Sequence, residues 1–527
     1  MLARLATLLA LIIGTLPAAT LCLDLDSLLA RSVGGPQAML TLDKLESYRM
    51  VGRVTINDAM TGRVVQVIDI PDRSYTRMEM PIGTLEQAYD GERGTGWTRD
   101  HTGQVTRTAG FQLQQMKKGL YFDVFAHLFP ERLEGNREYG GLDTVDGNVY
   151  HRIDFYPLNL DTVTVWLDTS TALIARISQK LDEMPALVWP GEYDTVRTVL
   201  FPTRVRMEAV GSPLIMEFVY DTISLDQPLD DSVFAMPGSE AVEVRFAGGL
   251  AKVVAPLKYE RGHLKVKATI NGRTAWFILD SGASSNMLDR AFVDDLDLKS
   301  VGTLLAKGIS GYEEVTLVEV DSLQLSALTI FDMNAGVLDL SALGLGTADS
   351  LSFAGVLGYD FLSRIPLLID YEGQTLTLHH PDSSAALPSG GESVEFHLTM
   401  QIPTVSGSLA GNTGDFVVDL GNPFGLLVHR SFVEKHDLTQ ILADIENIDA
   451  AIGGVGGQVD GKSARIEQFY LGSVLLSDLR VLLLDSETGL AGSQQLAGNI
   501  GNLVLENFRV LLDYPRSRLV LLRKAEE

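Results

Sequence analysis

Two aspartates stand at matching places in this chain, each directly behind an apolar run. In "FILDSGASSNML" (277–288), Asp280 follows Phe277, Ile278 and Leu279, and in "DFVVDLGNPFGLL" (415–427), Asp419 follows Phe416, Val417 and Val418. An acid so placed leaves the end of a buried strand. Two carboxylates brought together cannot easily both ionise, so the pair shares one proton and titrates as a unit. That arrangement suits hydrolysis: the ionised member takes a proton from a water, and the protonated one polarises a carbonyl. Gly282 and Gly421, two residues on, let backbone N–H groups approach the carboxylates with no side chain in the way. Ser281 supplies a hydroxyl after the first aspartate; Leu420 supplies none after the second.

For these acids to meet, the elements carrying them must be related, and an internal repeat relates them. "GVLGYDFLSRIPLLIDYEGQTLTL" begins at Gly355 and "GNIGNLVLENFRVLLDYPRSRLVL" at Gly498, an offset of 143 residues. Gly358 and Gly501 correspond, as do Asp370-Tyr371 and Asp513-Tyr514. Upstream, Gly272 and Gly411 precede their aspartates by eight residues and Phe277 and Phe416 by three, at an offset of 139. Two signals in one order indicate a duplicated β unit of domain size. A pseudo-two-fold axis between the copies would bring Asp280 and Asp419 face to face.

Other polar residues have plainer readings. Asp370 and Asp513 read as turn residues at strand ends. His379 and His380 would point to opposite sides of an extended strand, so they read as surface histidines and not as a metal site. "EKHD" (434–437) reads as a solvated helix end, and "GGVGG" (453–457) as a second flap or a flexible turn. There is no Gly-x-Ser-x-Gly elbow and no dinucleotide-type glycine loop, and the single cysteine, Cys22, has no histidine partner nearby. No metal and no cofactor is expected.

The chain has 527 residues, 46% of them hydrophobic, and a net charge of −26. That is ample core for several domains, and it argues against nucleic acid or an anionic lipid surface as partner. "MLARLATLLALIIGTLPAAT" has the layout of a secretory signal over 1–22 and an apolar part too short for an ordinary span. Export with cleavage of the signal implies a periplasmic location, with anchoring through Cys22 or an uncleaved signal as the alternative. From 25 to 237, short alternating stretches such as "RVVQVIDI" and "TVTVWLD", separated by turn residues, predict an antiparallel sheet, with a helix within 111–129. A linker follows over 238–249.

The stretches "AYDGERGTGW", "VDGNVYHRIDF" and "FPTRVRMEA" resemble periplasmic lipoprotein-carrier proteins. This implies a curved, unclosed sheet around a helix, with lipid or lipoprotein as its cargo. "ILDSGAS" and "GVLGYDFL", with the duplication, resemble two-lobed bacterial retropepsin-like aspartic proteases over about 250–525. The fold so implied is mainly β: an N-terminal curved antiparallel half-barrel with helices, then two duplicated lobes, 250–385 and 386–525, forming one pepsin-like bilobal unit. The resemblance implies a peptide or protein substrate, catalysis by Asp280 and Asp419, and support from Ser281, Gly282 and Gly421. It also implies a substrate-covering flap at Gly308, Ser310 and Gly311. With both acids in one chain, a monomer suffices. Leu420 departs from the family's Ser or Thr, so bracing would come from Ser281 alone. The competing reading is a non-catalytic envelope protein binding lipid or peptide through the N-terminal domain and a degenerate cleft.

Overall fold

Alternating apolar and polar residues between Ser47 and Leu225 build a thirteen-stranded antiparallel sheet. The computed structural model describes the chain except residues 1–23, 182–183, 213, 239–242, 295, 310, 342–350, 384–386, 448–451, 455–456 and 525–527. The predicted signal and Cys22 therefore lie outside the described residues, as does Ser310. In the sheet, sequence neighbours pair throughout, and Ser47–Ile56 also pairs with Ile215–Leu225. The two spatial ends, Val105–Thr108 and Gly135–Val145, are joined through the helix Gly110–Asp123. That helix occupies most of the stretch 111–129 in which one is expected, and it ends before Phe125, which takes a left-handed φ of 58° and turns the chain away.

One face of this sheet carries two separate apolar clusters. Tyr48 and Ile68 are cross-strand neighbours, as are Ile56 and Met60, and strict alternation puts Val54 and Val64 on the same side. Tyr48 and Ile68 pack under the helices with Leu28, Leu42 and Leu120. Val54, Met60, Val64 and Met80 instead pack against Val315, Leu317, Leu338 and Leu340, far along the chain. The N-terminal sheet thus covers its apolar face with its own helices at one end and with a distant β-hairpin at the other.

That hairpin belongs to a nine-stranded mixed sheet whose central member is Arg273–Leu279. This strand pairs antiparallel with His263–Ile270 and parallel with Phe353–Leu357. Asn286–Asp289 lies antiparallel to Phe353–Leu357 and parallel to Leu328–Leu338. Val244–Phe246, within the stretch read as a linker, adds an edge strand. In a second nine-stranded sheet, Asn412–Val418 pairs antiparallel with Ile402–Leu409 and parallel with Leu496–Ile500. Leu426–Val428 lies antiparallel to Leu496–Ile500 and parallel to Val474–Asp485. Ile452–Gly454 and Gly457–Leu471 pair as a hairpin around "GGVGG".

A six-stranded sheet ties the two together: Leu367–Asp370 runs antiparallel to Phe508–Asp513. Asp370 ends its strand and accepts the Gly373 N–H at 2.8 Å, as a turn residue does. Asp513 is fully buried and bonds Arg516 and Arg518. His379 corrects the sequence reading. It is 2% exposed, because its strand is sandwiched between Lys252–Pro256 and Leu367–Asp370. Burial lowers its pKa.

Candidate active site

Each aspartate sits where its strand leaves the ladder. The Asp280 N–H donates to Leu357 O at 3.1 Å, and the Asp419 N–H to Ile500 O at 3.0 Å. The last rung of a parallel pairing therefore sets each carboxylate's position. Each carboxyl group lies against the glycine that follows the other, close enough for the two acids to influence one another, and both residues keep partial solvent access.

The glycines after them make this approach possible. A Cβ on Gly282 would lie 2.6 Å from Asp419 Oδ1, and one on Gly421 would lie 2.4 Å from Asp280 Oδ1. Any side chain there would push the acids apart. The same glycines also donate inward: Gly282 N–H to Asp280 Oδ1 at 2.8 Å, and Gly421 N–H to Asp419 Oδ1 at 3.0 Å.

The environments are unequal. Asp419 Oδ1 accepts a further bond from Asn422 N–H at 3.1 Å, and its Oδ2 accepts from the Asn499 amide at 2.9 Å. Burial raises both carboxyls, and the neighbouring Asp419 charge adds to the rise at Asp280. At Asp419 the donors oppose burial. Three donors thus favour the charged form of Asp419, against the Gly282 and Ala283 amides at Asp280. Beneath them, the phenol of fully buried Tyr514 is raised well above its usual range by burial and by both aspartates.

Ser281 spans the gap beneath the acids. Its Oγ donates to Val418 O at 2.6 Å and accepts the Leu420 N–H at 3.0 Å. Leu420 offers no hydroxyl in return; its side chain is fully buried in the core, and its carbonyl accepts from Asn502 Nδ2 at 2.7 Å.

Gly308 and Gly311 close the hairpin formed by Ser300–Lys307 and Tyr312–Leu325, through a 2.8 Å bond from Gly308 N to Gly311 O. The tip is docked on the Asp419 side of the molecule. Leu490 N–H donates to Gly308 O at 3.0 Å and Ala491 N–H to Ile309 O at 3.1 Å. Ile309 packs with Leu427, Val459, Leu484 and Ala491.

Five further residues around the acids were not singled out from the sequence. Asp360 accepts from Ser285 Oγ at 2.5 Å and from Asn286 N–H at 2.8 Å, which fixes the loop after Asp280. It is also bonded to His101 of the N-terminal sheet, and Asp100 beside it accepts from the Tyr359 hydroxyl. On the other side, buried His429 contacts Asn499 Oδ1 through Nε2 at 2.9 Å and Leu496 O through Nδ1 at 3.0 Å. The one local signal was Asn499 itself, a polar residue where the first "GVLG" copy has Val356. Among the described residues, no cluster of His, Cys, Asp or Glu could hold a metal ion.

Comparison with known proteins adds a family match. No curated protein matches the chain. The N-terminal region is similar in structure to a DUF1329 family protein from Desulfovibrio piger, at 14% identity and a TM-score of 0.29, covering 37% of this chain and 92% of that one. It is likewise similar to a LolA superfamily protein from Nitrosomonas europaea, at 15% identity and a TM-score of 0.29, covering 40% and 96%. A retropepsin-like aspartic protease from Rickettsia conorii matches at 21% identity and a TM-score of 0.18, covering 26% of this chain and 93% of that one. Residues 266–361 match the family model described as aspartyl protease, a segment that holds Asp280, the hairpin tip and Asp360 and ends before Asp419. Residues 266–361 of the chain therefore match the aspartyl protease family.

Proposed function

We propose that this protein is an exported aspartic endopeptidase in which Asp280 and Asp419 activate a water between two retropepsin-like lobes, residues 250–385 and 386–525. The observation that carries this reading is that two carboxyl groups from strand ends 139 residues apart each lie against the glycine that follows the other. Corresponding pairings around the two acid-bearing strands support the duplication. Each has one antiparallel neighbour before it and one parallel neighbour from a glycine-bearing strand.

The unequal environments suggest the roles. Asp419, with more donors to its charged form, takes a proton from the water as the water oxygen bonds the peptide carbon. Asp280 gives its proton to the carbonyl oxygen. Collapse of the diol breaks the C–N bond, the amine leaves with the proton held by Asp419, and Asp280 recovers one from the diol. An extended peptide would add as a strand beneath the tip at Gly308–Gly311, which must first lift from Leu490 and Ala491. The N-terminal sheet, over 25–237, has its apolar face filled by its own chain. That favours a scaffolding role for it over cargo carriage.

Digestion of a peptide library by the full chain across acidic to neutral pH tests the reading. Asp280→Asn and Asp419→Asn keep the shape and remove the acid, so each is expected to lower turnover about 10³-fold or more. A chelator is expected to change nothing. Undiminished cleavage by either variant ends the proposal, and loss with chelator replaces it with a metal mechanism.

A further inference from the structure

His429 lies behind Asp419 with both ring nitrogens committed. It is 1% exposed; Nδ1 meets the carbonyl of Leu496 at 3.0 Å and Nε2 meets the amide oxygen of Asn499 at 2.9 Å. Carbonyl oxygens only accept, so a ring that bonds both must donate from both nitrogens, and it is then an imidazolium. The other end of the same amide donates to Asp419 Oδ2 at 2.9 Å, which is what a carboxylate requires. Reversing the Asn499 amide inverts both ends. Its NH2 would then donate to an unprotonated Nε2, and its oxygen would need a proton on Asp419. Either orientation links the two groups: a proton on His429 accompanies a charge on Asp419, and a neutral ring accompanies a protonated acid.

We propose that His429 is a positioning residue of the peptidase site, which through Asn499 keeps Asp419 the ionised member of the acid pair. This rests on the catalytic reading above. The device exists on one side only. Asn499 lies opposite Leu427 just as Val356 lies opposite Met287, so an aliphatic side chain occupies the corresponding place behind Asp280. An opposite charge stabilises Asp419 as a carboxylate, whereas Asp280, with Val356 behind it, keeps the proton. The side that lacks the bracing hydroxyl, because of Leu420, is thus the side with a charged support.

Arg430, next in the chain, points outward to Glu434, Asp485 and Glu487, all on the solvent side. Among the described residues, the acids that face the imidazole from within are Asp419, through Asn499, and Asp280 beyond.

Two measurements on the full chain test this. In 15N-histidine NMR, His429 is expected to show an imidazolium across the pH range of activity, and to become neutral in Asp419→Asn. In the pH dependence of kcat/KM, His429→Gln and Asn499→Val are each expected to move the acidic limb upward by about one unit. The double variant should move it no further. A neutral His429 in the wild type, or an acidic limb unmoved by either substitution, overturns the proposal. The NMR arm needs no turnover. If the chain cleaves nothing, the catalytic reading fails, while the response of His429 to Asp419→Asn still decides whether the two are linked.

Discussion

The hydroxyl of Ser281 accepts the backbone N–H of Leu420 at 3.0 Å, and nothing on Leu420 answers it. The same hydroxyl donates to Val418 O at 2.6 Å, so one oxygen satisfies a donor and an acceptor of the opposite strand end. Ser281→Ala would strand both groups in a buried place, at a cost of about 2–4 kcal/mol. The midpoint of denaturant unfolding followed by near-UV signals should fall accordingly. A loss below about 0.5 kcal/mol would mean that the acids are held together by something other than this hydroxyl.

How much of this was legible follows from how far apart the partners lie. A β-rich chain and an aspartyl protease segment could be read from alternation, from Asp280 behind its apolar run, and from the glycine strand at Gly355–Gly358, all local patterns. The groups that tune the acids could not. His429 and Asn499 are separated by 70 residues, and His101 and Asp360 by 259. Strand pairing and domain docking join them, and no local pattern encodes either. His379 shows the converse error. Side chains pointing to opposite sides of a strand suggest surface histidines, yet a strand with neighbours on both sides buries one of them.

His101 and Asp360 make the docking of the N-terminal sheet depend on pH. Burial opposes charging of the imidazole, but the Asp360 carboxylate outweighs it and raises His101 above its ordinary 6.5. Asp360 lies below its ordinary 3.8, since His101, Ser285 and the Asn286 N–H together outweigh burial. A raised imidazole stabilises the folded state below pH 6.5, and this is lost as pH climbs through its folded value. A lowered carboxylate stabilises above pH 3.8, and this is lost as pH falls through its depressed value. Docking should therefore be firmest between about pH 4 and 6.5. Hydrogen exchange at the Asn286 amide, which donates to Asp360, should accelerate beyond its intrinsic rate as pH rises to 9. In His101→Gln that extra acceleration should vanish. If both proteins respond alike, the pair does not govern docking.

The hairpin tip offers a last check, because its two holds differ in kind. At its base, Val315 and Leu317 rest on Val54, Met60 and Val64 of the N-terminal sheet. At its tip, among the described residues, two backbone bonds from Leu490 and Ala491 and the half-buried side chain of Ile309 hold it. Opening should therefore begin at the tip with the base still docked, as local unfolding starts where apolar burial is least. Ile309→Ala removes roughly 1 kcal/mol of burial, so the Leu490 and Ala491 amides should exchange about fivefold faster. The amides of Val315 and Leu317 should hardly change. Equal acceleration at all four would mean that tip and base release together, and that a peptide could enter only by displacing the N-terminal sheet as well.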